Sequence, residues 1–351
     1  ISSLTLAGAG TPAASGEAVK AEGWKNLSLD SLVITDFFTG TGISRTERVR
    51  ITGCTIRNST GTGISLMSSD IGLIADNTLD QCGTGISGEE SSRIEIRQNR
   101  ISACREGAIR LSHGLRDSAV TGNILVGNGD ISGNLTGEDL PALSLEYADN
   151  VTVSDNTLKR NAGTALFLDQ CRWMQLRGNI MDDNRYGFTC IPGRLDPGNR
   201  IDSSNRVNGD PVLYYEGLIG ETIEGFSPAS LYLVNCTGVT LRGLAQVAGG
   251  GFGFFVSGGS DITIENCSAE NNRYQNMLLA GVKNSSISGS SVANSSGYGI
   301  GLIHSGSVEI TGTTVTRSGV GIAVRGDTTL ARISGNSLAS NQVGFPGEAG
   351  G

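Results

Sequence analysis

Proline, histidine, tryptophan and methionine are scarce in this chain: 7, 2, 2 and 4 among 351 residues. No apolar run approaches the roughly 18 residues that a spanning helix needs, so none is expected to cross a membrane. Apolar residues show no helical spacing and no regular leucine frame, which sets aside leucine-rich repeats. Lysine and arginine form no cluster and net charge is −8, so nucleic acid is excluded as a partner. No Cys-x-x-Cys occurs and the two histidines, His113 and His304, stand far apart, which disfavours zinc and thiol redox centres.

Glycine is abundant, at 52 residues, together with Ser, Thr and Asn. They are arranged in a repeat, seen most plainly in Asn77-Thr78-Leu79-Asp80-Gln81-Cys82-Gly83-Thr84-Gly85-Ile86. The apolar residue after the glycine turn returns at Ile43, Ile64, Ile86, Ile109, Leu143, Leu166, Phe188, Leu231, Phe254, Met277, Ile300, Ile322 and Phe345. Short alternating runs such as Ile64-Ser65-Leu66 and Ile94-Glu95-Ile96 give two or three brief strands per repeat. A repeat this short without a helical half predicts an all-β solenoid, a single-stranded right-handed parallel β-helix with coils of roughly 22 residues.

Two asparagine series run in phase with the apolar one. Asn77, Asn99, Asn123, Asn156, Asn179, Asn199 and Asn336 each stand two places before an apolar residue. Asn128, Asn161, Asn184, Asn272 and Asn341 stand before the glycine turn, with Cys82, Cys104 and Ser318 in the same slot. Stacked coils place equivalent positions about 4.8 Å apart, so such side chains form ladders. Cys82 and Cys104 are then close enough for a bridge, or they stand as buried thiols in place of Asn. Cys54 and Cys267 share a slot in distant coils, as do Cys171 and Cys236.

One β-helix domain over residues 1–351 is expected, with insertions near 129–141 and 192–228. The first carries Asp130, Glu138 and Asp139. Ser3-Leu4-Thr5-Leu6 already reads as a coil and solenoids need caps, so an N-terminal cap is expected ahead of Ile1. Sequons at Asn26, Asn58, Asn134, Asn150, Asn235, Asn266, Asn284 and Asn294 suggest a glycosylated secreted protein.

The residue after each inward apolar position faces outward. One outward column reads Arg110, Ser144, Phe167, then Tyr232, Phe255 and Leu278; the next reads Glu89, Ser112, Glu146 and Asp169. Phe167, Tyr232, Phe255 and Leu278 are therefore expected as an exposed stripe, with Phe167, Tyr232 and Phe255 its contacts for a sugar or a partner protein. Glu146 and Asp169, near Arg110 and His113, are the expected catalytic set if the protein is an enzyme acting on polysaccharide. With further oxygen ligands the two carboxylates would take Ca²⁺; no metal or other cofactor is firmly implied.

The stretch Asn205-Arg206-Val207-Asn208-Gly209-Asp210-Pro211-Val212-Leu213-Tyr214-Tyr215, followed by Val234-Asn235-Cys236-Thr237-Gly238-Val239-Thr240, resembles the NosD-like family of right-handed β-helix proteins. The short coils around it resemble the broader class of carbohydrate-binding and sugar-hydrolase β-helix repeats. The resemblance implies a secreted, periplasmic or cell-surface protein. The copper association of that family does not carry over, because copper needs clustered soft or imidazole ligands and this chain has no such run. The expected role is structural, in assemblies of copies of itself, or carbohydrate-binding, with polysaccharide or surface glycan as partner; a polysaccharide lyase, epimerase or hydrolase is the alternative.

Overall fold

The computed structural model describes residues 1–8, 16–129, 140–192, 198–245 and 247–344, apart from the side chain of Ile71. Most of the first insertion, with Asp130, Asn134, Glu138 and Asp139, lies outside the described residues, as does Phe345. Every assigned element is a β-strand, every paired strand is parallel, and the coils take about 23 residues each. Two compact units result: residues 1–185 with 189–208, and residues 186–188 with 209–351.

In the first unit each coil lays one strand in each of three parallel sheets. In one coil these are Thr84–Glu89, Ser92–Arg97 and Arg100–Ser102. Strands from Glu17–Glu22 through Thr164–Asp169 share the first sheet, with Ile64, Ile86, Ile109, Leu143 and Leu166 in register. All five are fully buried, so alternation along the strand leaves Ser65, Ser87, Arg110, Ser144 and Phe167 on the opposite face. Corners are made by single residues in the left-handed region: Arg45, Ser68, Glu90, His113, Tyr147 and Gln170 each follow a strand of this sheet with φ near +50°.

The start of the inward series shifts by two residues. Ile43 pairs with Leu66, and it is the buried Thr41 that stands opposite Ile64. Thr39-Gly40-Thr41-Gly42 offers the Thr-Gly turn twice, and a slip of two leaves every side chain on its own face.

The asparagine ladders close the corners. Asn99 Nδ2 donates to Ile74 O at 2.9 Å and to Asn123 Oδ1 at 3.0 Å, while its Oδ1 accepts from the Asn77 backbone N–H at 3.0 Å. The chain of such bonds runs Asn77, Asn99, Asn123, Asn156, Asn179 and then Asn205, not Asn199. Asn199 instead caps a neighbouring corner, accepting from Met174 N–H. Both asparagines stand two places before an apolar residue, Ile201 and Val207, so the motif alone does not distinguish them. Buried amides satisfied on both faces hold successive coils in register, because an unpaired buried polar group is costly.

In the second unit the strands Asp210–Glu216, Ser230–Val234, Phe252–Ser257, Gln275–Ala280, Tyr298–Ile303 and Val320–Arg325 form one sheet. Leu213, Leu231, Phe254, Met277, Ile300 and Ile322 line its core side in register. The coil pattern, which is hard to read in the sequence after Pro192, persists at Arg200–Ile201 and Arg206–Val207, which pair with Gln175–Leu176 and Ile180–Met181, and is present in the second unit from Asp210, where Val212 stands in place of the glycine before the inward residue.

Candidate functional site

On the outward face of the first unit's first sheet, strand Leu143–Glu146 lies against Gly107–Ser112 on one side and Thr164–Asp169 on the other. Parallel register puts Glu146 beside Asp169 and Ser144 beside both Arg110 and Phe167. Ser144 Oγ donates to Glu146 Oε1 at 3.2 Å. Partial burial, and then the negative charge of Glu146 one coil away, push the Asp169 carboxyl above its usual value. The two carboxylates expected as neighbours are therefore brought together. Arg110 shares their face but forms no ion pair among the described residues, and its side chain stands exposed.

Tyr147, which follows Glu146 at a left-handed corner with φ of 54°, is 54% exposed. Its ring stacks on His113 of the preceding coil, with centroids 5.8 Å apart and planes 21° from parallel. His113 Nδ1 also lies 3.7 Å from Glu89 Oε1. The site is thus a shallow outward surface with two carboxylates, an arginine, a half-buried Phe167 and an exposed aromatic pair at its edge. Sequence reasoning missed Tyr147 because it looked for aromatics on strand faces, whereas this one occupies the corner slot. The signal available was the slot itself, one residue beyond the outward acidic position.

The expected exposed stripe is corrected at three of its positions. Tyr232 is fully buried, and Phe255 and Leu278 are 6% and 7% exposed. They do face away from the core, as alternation requires, but aromatic neighbours cover them. Tyr232 packs on Phe188 edge-on at 5.6 Å, on Tyr214 at 6.1 Å and on Phe255 at 5.5 Å, and Phe252 contacts Phe255 at 4.9 Å. The second unit therefore carries a second, outer apolar layer, and only Phe167 of the stripe keeps an accessible ring.

The sequons have a structural explanation. Asn26, Asn58, Asn150, Asn235, Asn266, Asn284 and Asn294 all sit at corners with φ between 48° and 62°. Asparagine tolerates that region, and at Asn26 and Asn266 the Ser two places on opens the following strand. Several of these amides are already engaged: Asn58 Nδ2 donates to Asp36 at 3.0 Å and Asn150 Nδ2 to Asp117 at 2.6 Å. The left-handed corner thus accounts for the asparagine in these triplets.

These parallel coils with ladders at the corners define a β-solenoid, and the comparison with known families agrees. Residues 13–139 and 43–205 match the model described as right handed beta helix region, and residues 197–349 match that of the periplasmic copper-binding protein NosD. The chain belongs to the right-handed β-helix family, and its C-terminal part is NosD-like. No curated protein matches it. Among solved structures it is similar to the A-module of the Azotobacter vinelandii mannuronan C-5 epimerase AlgE4, at 12% identity over 98% of this chain and 86% of that one, with a TM-score of 0.34. PfbA, a surface adhesin of Streptococcus pneumoniae, gives 12% identity over 90% and 85% with a TM-score of 0.38. The periplasmic alginate epimerase AlgG gives 12% over 89% and 69% with a TM-score of 0.37. At this similarity none of the three says what this chain does.

The residues do not fit the copper of the NosD name. His113 and His304 belong to different units, and each has its own neighbours: His113 the Glu89 carboxylate and Tyr147 ring, His304 the Asp327 backbone N–H at 3.4 Å. Among the described residues no three of His, Cys, Asp and Glu converge, so a Ca²⁺ site at Glu146 and Asp169 also lacks a third carboxylate there. No helix among the described residues is long and apolar enough to cross a membrane.

Proposed function

We propose that the first unit binds a polysaccharide along the outward face formed by Gly107–Ser112, Leu143–Glu146 and Thr164–Asp169. The observation that carries this reading is the in-register pair Glu146 and Asp169, flanked by the exposed Tyr147 and the half-buried Phe167. Carboxylates accept strong hydrogen bonds from sugar hydroxyls, and an accessible ring stacks on the apolar face of a pyranose. Coils repeat about every 4.8 Å, close to the length of one sugar residue, so consecutive sugars meet consecutive coils. A glycan outside the cytoplasm suits the periplasmic name of the family matched by residues 197–349. Affinity electrophoresis through gels cast with neutral and acidic polysaccharides tests the reading: retardation by at least one glycan, reduced in Glu146→Gln and Asp169→Asn, supports it. Unaltered migration in every gel overturns it.

One observation favours a second reading, in which the face also performs chemistry. Asp169 holds its proton above the usual carboxyl range beside the Glu146 charge, as a general acid beside a base does. Arg110 would then meet a uronate carboxylate or a developing negative charge. New reducing or unsaturated ends from a polysaccharide, absent with Asp169→Asn, support this; binding without turnover contradicts it.

A further inference from the structure

The second ladder changes chemistry part-way along the first unit. Asn128 Nδ2 donates to Asn161 Oδ1 at 3.1 Å, and Asn161 Nδ2 to Asn184 Oδ1 at 2.7 Å. Moving back along the chain the same slot holds Cys104 and then Cys82, both with 0% exposure. The backbone N–H of Cys104 still has its ladder acceptor, Asn128 Oδ1 at 3.0 Å. Other cysteines of the molecule meet an oxygen in the next coil: Cys54 N–H donates to Asn77 Oδ1 at 2.8 Å, and Cys267 N–H to Ser290 Oγ at 3.1 Å. Cys82 faces another thiol in the equivalent place, and sulfur is a poor acceptor. Two adjacent slots have therefore lost the amide that holds neighbouring coils together.

Geometry favours a covalent replacement. Leu79 and Asp80 pair with Ile101 and Ser102, so the register carries on unbroken to Cys82 and Cys104. Arg105 N–H donates to Cys82 O at 2.9 Å, which fixes the two corners one coil apart. A spacing of about 4.8 Å falls within the Cα separation of roughly 4.4–6.8 Å that disulfides accept. The two thiols shift each other: the neighbouring Cys104 holds Cys82 below the ordinary thiol range, while Cys82 and then burial push Cys104 above it, which makes Cys82 the better nucleophile.

We propose that Cys82 and Cys104 form a disulfide joining adjacent coils when the chain folds in the presence of a disulfide oxidant. The Cys82 thiolate attacks one sulfur of the oxidant, R–S–S–R, releasing one R–SH and leaving a mixed disulfide. The Cys104 thiol then loses its proton and displaces the second R–SH. Two protein S–H bonds are lost, one S–S bond forms, and the oxidant is reduced to two thiols. Burial of both sulfurs places this exchange during folding.

The test is refolding of the reduced, denatured chain in oxidised and reduced glutathione, acid quench, alkylation in denaturant, and tryptic mapping. Five of the seven cysteines are expected to alkylate, with peptide 58–93 linked to peptide 101–105. Cys104→Ser should show all six remaining thiols alkylated, and the rise in thermal midpoint of the oxidised wild-type over the reduced form should vanish in it. Seven alkylated cysteines in a chain with native β circular dichroism, or a bridge between any other pair, overturns the proposal.

Discussion

Single residues carry register in this molecule. Asn123 is the clearest case, because its amide makes four ladder contacts: it donates to Ile96 O and Asn156 Oδ1, and it accepts from the backbone and side chain of Asn99. Asn123→Ala orphans buried groups on both sides and is expected to cost about 2–4 kcal/mol, read as a lower urea midpoint. Asp169 makes the opposite prediction. Its folded pKa is raised by burial and by Glu146, so the unfolded chain releases the proton at a lower pH than the folded one. The stability it contributes is fully present below the unfolded value, near 3.9, and is lost as pH rises through the raised folded value. Asp169→Asn should therefore raise the thermal midpoint at neutral pH, with the gain fading as pH falls below about 4. A gain that grew toward acid pH would contradict the assignment.

At the scale of the strand, alternation decides which side chains meet water, and covering elements decide which of those stay wet. The inward series Ile64, Ile86 and Ile109 was legible because one buried face repeats every coil. The outward series was legible as a direction only. Phe167 and Tyr232 both alternate outward, yet the second is buried by Phe188, Tyr214 and Phe255, contacts set by residues distant in sequence. Tyr232→Ala is therefore expected to lose about 3–5 kcal/mol in unfolding experiments, while leaving glycan binding unchanged if the chain stays folded. Tyr147 escaped the reading for the converse reason: corners have no facing rule, only a backbone requirement. The glycines before the inward residues were read as turns, and they are also contact points. A Cβ at Gly85 would lie 2.5 Å from Ala108 O and 2.6 Å from Ile101 Cγ2. Gly85→Ala should cost about 1–3 kcal/mol through overpacking, visible as a lower melting temperature.

At the scale of the whole chain, repetition makes the solenoid recognisable from the sequence, and the same repetition conceals function. Equivalent positions recur in many coils, so a site is only a place where several unusual residues coincide. Glu146, Tyr147, Phe167 and Asp169 form such a coincidence on neighbouring strands of the first unit. The carboxylate pair was readable as two outward acids one repeat apart, whereas the aromatic edge needed the corner geometry. The most direct measurement is titration of the folded chain with the polysaccharide that retards it, comparing wild type with Tyr147→Ala and Phe167→Ala at matched thermal stability. Affinity reduced about tenfold by either ring's removal, on the order of 1.4 kcal/mol, is the predicted result. Undiminished affinity in both variants would contradict a glycan lying on this face.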